Sequence, residues 1–305
     1  MTSGRSTVPR VSIGLPVYNG ERYLGAALDT LLAQTWQDFE LVISDNASTD
    51  GTADICQRYA RSDERIRYVR APNNLGGAWN FNRVFHLSTA PYFMWAAHDD
   101  MWRPEYVSSC VEVLDRSPDI AHCYTGACIV DSEGEYVRDR RHGPDLTCDS
   151  PAERFHRFLL SPTVFHAFFG LFRASVLKRT RLMVNFEAAD VFLLGHIAIL
   201  GKSYEYPASL FLNRDHRERG TYMHGVDLAS KAAVAEWYDT SNRGKVPVPM
   251  LKGLAHYVRA IHSSDTPVLD RLRCYYLVLR WTNWHRGRLA KELWLNATKV
   301  VGKLG

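Results

Sequence analysis

Cysteine is scarce and poorly placed for structural chemistry. The 305 residues hold six cysteines (Cys56, Cys110, Cys123, Cys128, Cys148 and Cys274), none in a Cys-x-x-Cys pair. A zinc module of that kind needs two matched pairs, and Cys123 with Cys128 has no second pair to match. The expectation is buried, reduced thiols in a reducing compartment. Long apolar runs are missing as well; none approaches the ~20 residues of a membrane span. The stretch Met1 to Arg10 is polar and lacks the apolar centre of a secretory leader, so a cytoplasmic location is expected. A strong charge excess is also absent: net charge is +4, too mild to argue for nucleic acid. Glycine-rich phosphate loops are lacking too. After the first strand a dinucleotide site needs Gly-x-Gly-x-x-Gly, and a P-loop needs Gly-x-x-x-x-Gly-Lys-Ser/Thr. This chain has Leu15-Pro-Val-Tyr-Asn-Gly20 there, which excludes both.

What is present is material for a large core, with 46% hydrophobic and 23% charged residues, and a regular alternation. Val11 to Leu15 reads as a buried strand ending in the turn cluster Pro16 to Gly20. Leu24, Ala27, Leu28, Leu31 and Leu32 then recur at helical spacing. Phe39 to Ser44 is a second strand, closed by the polar run Asp45 to Thr52, and a helix follows through Tyr59. Ile66 to Arg70 is a third strand, Trp79 to Leu87 a helix, and Tyr92 to Ala97 a strand buried on both faces. Such alternation predicts an α/β fold with right-handed crossovers and a mainly parallel, Rossmann-like sheet flanked by helices. The polar strand-to-helix loops should converge along one sheet edge.

At the end of the fourth strand stand His98, Asp99 and Asp100. Adjacent carboxylates repel unless a cation or hydrogen-bond donors neutralise them. One reading is a divalent cation held together with nucleotide phosphates. The other is an Asp-Asp turn capping the helix that begins near Pro104. Both stay open on these residues alone.

Taken in order, Pro16-Val17-Tyr18-Asn19 with Tyr23-Leu24, Gln34-Thr35, Asp45 to Thr52, Asn74-x-Gly76 and the buried strand ending in Asp99-Asp100 resemble the family 2 glycosyltransferases. The resemblance covers residues 11 to 216, and an ordered set is far more specific than any one member. It implies a GT-A fold and an inverting transfer of a hexose-type sugar from a nucleoside diphosphate donor, assisted by magnesium or manganese. Carried over by position, Pro16, Tyr18 and Glu21 line the nucleotide pocket. Asp45 and Asn46 fall where many members have Asp-Asp and read the base; an amide at 46 both accepts and donates. Asp99 is expected on donor ribose or sugar, and Asp100 on the metal. Asn80 and Asn82 fall near an Arg-Asn pair of the family, with Phe81 in place of the Arg.

The same resemblance sets expectations for the second half. Asp190, at the start of an apolar helix, implies the catalytic base, with Glu187 as its neighbouring rival. A helix N-terminus favours the ionised carboxylate that a base requires. Phe165 to Arg173 reads as a strand near the acceptor, Arg138 to Cys148 as a polar loop over the site or simply a solvated one, and Ala208 to Asn213 as a strand. After it comes Arg214-Asp215-His216-Arg217, where His216 is expected either on departing phosphate or as a metal ligand. A non-catalytic nucleotide-sugar module and a sugar-nucleotide pyrophosphorylase are the alternatives. The retained acids argue against the first, and Pro16-Val17-Tyr18, in place of a glycine-rich loop, against the second.

Three regions are expected: a flexible 1–10, a catalytic domain over 11–220 and a helical extension over 221–305. From Arg271 onward the extension carries eight Arg and Lys residues against Glu292, interleaved with Trp281, Trp284, Trp294 and leucines. Basic residues beside one apolar face suit an anionic membrane surface, and suit nucleic acid less well. The acceptor expected is a glycan or a lipid-linked precursor for the cell surface, with the enzyme peripheral on the inner face of the membrane.

Overall fold

The computed structural model describes residues 8–161, 165–216, 228–245 and 247–301. Strand β1 (Val11–Val17) is buried at every position, as a strand covered on both faces requires. It pairs in parallel with β2 (Phe39–Asp45) and β4 (Tyr92–Trp95), and β2 pairs in parallel with β3 (Ile66–Arg70). Helices α1 (Glu21–Leu32), α2 (Thr52–Ser62) and α3 (Gly77–Leu87) make the crossovers. The side chains of β4 alternate between two cores: Phe93 and Trp95 face one, Tyr92 and Met94 the other, following the two-residue period of a strand.

The sheet continues through β5 (Met101–Trp102), β6 (Ile120–Val130), β7 (Tyr136–Asp139), β8 (Leu171–Arg173) and β9 (Lys202–Arg214). Its nine strands run β3-β2-β1-β4-β8-β6-β9-β5, with β7 on β6. Strand β8 is antiparallel to both β4 and β6, and so joins the parallel nucleotide-type half to the parallel pair β6–β9. Helix α4 (Tyr106–Arg116) packs with α1 over one face. Helices α3, α5 (Pro151–Leu160), the one-turn α6 (Ala174–Leu177) and α7 (Ala189–Leu200) cover the other. Ser150 caps α5 by accepting the Glu153 N–H at 3.2 Å, with Pro151 in the first turn, where a missing N–H costs nothing.

The C-terminal helices α8 (Leu228–Tyr238), α9 (Pro249–Ser263), α10 (Val268–Trp284) and α11 (Arg286–Val301) follow. They do not form a core of their own. Tyr257, Ile261, Cys274, Val278 and Trp281 share one hydrophobic cluster with Phe155, Phe192 and Ile197. The seam is reciprocal: a Cβ on Gly195 of α7 would stand 2.8 Å from the Tyr257 ring, and one on Gly253 of α9 would stand 2.0 Å from Phe192.

Several expectations change in detail. Phe165 to Phe169 is a 3₁₀ turn rather than a strand; it ends at Gly170, which packs so closely on β6 that a Cβ there would stand 2.7 Å from the Cys123 carbonyl oxygen. Residues 138–148 do not cover the site. Asp139 ends β7, His142 and the Gly143 N–H both bind Glu205 at 2.7 Å, and Leu146 bridges Ser203. The basic C-terminal stretch breaks at His285, and its apolar residues divide between two faces. Cys274, Leu277, Val278 and Trp281 point inward, while Leu269, Leu272, Tyr276 and Leu279 lie outward at 60–72% exposure. Among the described residues, no helix is long and apolar enough to cross a membrane.

Candidate active site

The loops after β1, β2, β3 and β4 open into one cavity of about 1210 Å³, lined also by residues just before α7, by His216 and by the end of α8. The loops are laced before any ligand enters. Asn19, in the left-handed region at φ 51°, donates its N–H to Ser48 Oγ at 2.9 Å and accepts the Thr49 N–H at 2.8 Å. The Gly20 N–H donates to Thr52 Oγ1 at 2.8 Å. Asp45 is fully buried and accepts from the Ser48 N–H and the Tyr68 hydroxyl at 2.8 and 2.9 Å. Burial and this carboxylate push the Tyr68 phenol upward, so it remains a donor.

Of the residues expected in the nucleotide pocket, Pro16, Tyr18, Asn46, Asp99, His216 and Asp190 line the cavity, together with Glu187. Glu21, Asp45, Asn82 and Asp100 do not line it; each has a supporting position instead. Glu21 accepts the Gly51 N–H at 2.9 Å. Asn82 clasps the Met183 backbone in both directions, at 2.8 and 2.9 Å, and Met183 reaches the cavity. Asn80 reaches it too, while holding Ser44 and the Val17 carbonyl. Asn46 lines the cavity, but its amide is engaged: Nδ2 donates to Asn74 Oδ1 and the Gly76 carbonyl, and Oδ1 accepts from Leu75 N–H.

Asp99 and Asp100 diverge. Asp100 is fully buried and its Oδ1 accepts from Asn213 Nδ2 at 2.9 Å and the Arg214 N–H at 2.8 Å. Asp99 faces the cavity, with Oδ2 2.9 Å from His216 Nε2. Arg214 donates to the Asp99 carbonyl at 3.0 Å and lays its guanidinium 4.9 Å over the Tyr23 ring, which stands 4.6 Å from His216. Two cis ligands about 2.1 Å from one octahedral ion lie roughly 3.0 Å apart. Asp99 and His216 are hydrogen-bonded to each other at this distance, and the same separation would suit two cis ligands of a divalent cation. Among the described residues no group of three or more His, Cys, Asp or Glu converges, so phosphate and water would supply the remaining positions, as is usual for magnesium. Arg217 lies outside the described residues.

Asp190 stands in the first turn of α7, two residues after Ala188, which caps the helix at φ 62°. The helix behind it is mostly apolar and buried, with His196 its one polar side chain beyond the first turn. Sequence reading missed the opposite wall. Trp237, Tyr238 and Arg243 line the same cavity from α8 and the turn after it, and Arg22 from α1. Nothing in the periodicity of α8 distinguishes these positions; only the fold brings them in.

The family described as Glycosyl transferase family 2 matches residues 12–180, over half of the chain. The chain belongs to that family. Curated family relatives include TuaG of Bacillus subtilis, a glycosyltransferase named for teichuronic acid biosynthesis, 32% identical over 46% of this chain and 56% of its own length. The chondroitin synthase of Escherichia coli is 30% identical over 45% of this chain and 20% of its own. The chain thus spans from a fifth to little more than half of these relatives. Among solved structures, S. aureus TarS 1–349 in complex with UDP-GlcNAc aligns with a TM-score of 0.63 over 90% of this chain and 72% of that one, at 15% identity. The mannosyltransferase PcManGT from Pyrobaculum calidifontis, in complex with GDP-Man and Mn2+, aligns at 0.52 over 97% and 87%, at 17% identity. At such identities these likenesses establish the fold, which is GT-A.

Proposed function

We propose that this family 2 enzyme transfers a hexose-type sugar, with inversion, from a nucleoside diphosphate donor to a hydroxyl of a glycan or lipid-linked acceptor in cell-surface polysaccharide or glycolipid synthesis. One observation carries the reading: a single cavity presents Asp99 with His216 at one wall and Asp190 at another. The donor lies along the loops after β1 to β4, with its diphosphate toward Asp99, His216 and Arg22. Asp190 takes the proton from the acceptor hydroxyl as that oxygen bonds to the anomeric carbon. The bond to the diphosphate breaks on the opposite face, and configuration inverts. His216 and Arg22 sit where they can stabilise the negative charge the leaving group acquires. A magnesium or manganese ion on Asp99 and His216 would neutralise part of that charge when bound. We assign it there rather than to Asp100, whose carboxylate is turned into the protein.

Support for the donor class comes from the two structural neighbours, which hold UDP-GlcNAc and GDP-Man with Mn2+. The outward face of α10, with Leu269, Leu272, Tyr276 and Leu279 beside exposed Arg273 and Arg280, supports a peripheral position on anionic lipid at the inner face of the membrane. Incubating the full chain with a panel of nucleotide sugars, with and without Mn2+, tests the proposal. Release of nucleoside diphosphate that rises with added glycan or lipid-linked acceptor is expected. Binding of every donor without turnover under any condition would favour a non-catalytic module.

A further inference from the structure

The turn that presents Asp190 and the segment that holds it both lie beyond residues 12–180, the stretch matched by the family. The Tyr238 hydroxyl, at the end of α8, accepts the Ala188 N–H at 3.2 Å. Ala188 is a non-glycine residue in left-handed backbone, a conformation that needs support from its surroundings. Two further bonds reach the same turn. Asn185 Nδ2 donates to Asp239 Oδ2 at 2.8 Å, and Asn242 Nδ2 donates to the Asn185 carbonyl at 3.1 Å. Asn242 is itself anchored, through the Ala235 carbonyl at 2.9 Å.

The same few residues also press on the donor-side turn. Gly76, at φ 93°, could not carry a side chain, because its Cβ would stand 2.7 Å from the Tyr238 carbonyl; one on Gly77 would meet the Trp237 ring at 2.9 Å. Gly76 in turn accepts from Asn46, which lines the cavity. Residues 237–242 therefore touch the nucleotide-side turn with one edge and the Asn185–Asp190 turn with the other.

We propose that Trp237–Asn242 is a positioning bracket for the transferase reaction, in which Tyr238, Asp239 and Asn242 fix the Asn185–Ala188 turn and thereby set the height of Asp190 against the donor. This rests on the reading of Asp190 as base. Tyr238 touches no reacting atom; it is a positioning residue. Its phenol is buried, with Asp190 and Glu187 close by. Burial and those acids push its pKa up, so it stays neutral. A bracket of this kind has a functional consequence. Small displacements of a catalytic group cost large factors in rate, about 100-fold for a misplacement of 1 Å.

The test is a double-mutant cycle in the full chain. Tyr238→Phe keeps the packed ring and removes the hydroxyl. Turnover should fall by about 10- to 100-fold, donor affinity by calorimetry should stay within twofold, and the acid limb of the kcat–pH profile should move. Asn242→Ala, which removes a different bond to the same turn, should act in the same direction. Combining Tyr238→Phe with Asp190→Asn should cost little beyond Asp190→Asn alone, since groups acting as a unit are non-additive. Normal turnover in folded Tyr238→Phe and Asn242→Ala, with Asp190→Asn inactive, would overturn the bracket and leave the base in place. So would losses that multiply in the double variant. Normal turnover in Asp190→Asn would overturn the base assignment, and the bracket with it.

Discussion

His216 Nε2 stands 2.9 Å from Asp99 Oδ2, in the wall of a cavity that Asp100, the next residue, does not reach. The two neighbouring carboxylates therefore predict different mutant phenotypes. Asp99→Asn and His216→Ala should each lose the Mn2+-dependent part of donor affinity with little change in melting temperature. Asp100→Ala should instead lower stability by roughly 1–3 kcal/mol, because two buried donors lose their acceptor. Calorimetry with and without Mn2+, paired with thermal unfolding, separates these results. A stable Asp100→Ala chain that no longer responds to metal would return the ion to Asp100.

The seam between α7 and α9 predicts a large effect from one methyl group. Gly253→Ala puts a Cβ 2.0 Å from Phe192, and overpacking of this kind typically costs about 1–3 kcal/mol. Gly287, in α11, has nothing within 4 Å of the same position, so Gly287→Ala should stabilise by roughly 0.5–1 kcal/mol. Denaturant midpoints measured on both variants check the pair. Equal shifts would mean that the C-terminal helices do not pack through this seam.

Buried histidines make the fold acid-sensitive. His196 on α7 and His256 on α9 have perpendicular rings 5.7 Å apart. Burial lowers their pKa values from 6.5 to about 3 and about 4. The folded chain keeps both rings neutral, whereas the unfolded chain binds protons below pH 6.5. Their contribution is therefore fully present above that pH and is lost as pH falls toward the folded values, by about 1.4 kcal/mol per ring and pH unit. Melting temperatures between pH 7.5 and 4.5 should fall, and His196→Leu or His256→Leu should flatten the fall. An unchanged slope in both variants would contradict this account.

The outward face of α10 predicts salt-sensitive adhesion. Wild-type protein should sediment with anionic vesicles, less so as salt rises, and not with neutral ones. Leu272→Ser with Leu279→Ser should abolish sedimentation while leaving the fold intact, since both side chains are 60% exposed or more. Deleting the segment would be uninformative, because its inner face belongs to the core. Sedimentation unaffected by the double substitution would remove the membrane assignment.

Much of the fold is legible because its signals are local. The strand read over Val11 to Leu15, which the structure extends through Pro16 to Val17, the helical spacing of Leu24 and Leu28, and the polar stops at Asp45 and Asp99 each depend on near neighbours. The site residues share that property only where a strand end fixes them, as it does Pro16, Asn46 and Asp99. The orientation of Asp100 is set by the end of β9, more than a hundred residues away, where Asn213 and the Arg214 N–H claim it. Trp237 and Tyr238 look like ordinary helix residues until the chain folds back on Gly76. The division of α10 into two apolar faces is likewise invisible until α5 and α9 define which side is inward.

The account rests most directly on Asp190, and comparing transfer rate with donor affinity in Asp190→Asn and Glu187→Gln tests it. Asparagine keeps size and hydrogen bonding but cannot accept the proton, so Asp190→Asn should bind donor normally and transfer ~10²–10⁴-fold more slowly, while Glu187→Gln changes far less. An inactive Glu187→Gln beside an active Asp190→Asn would contradict it.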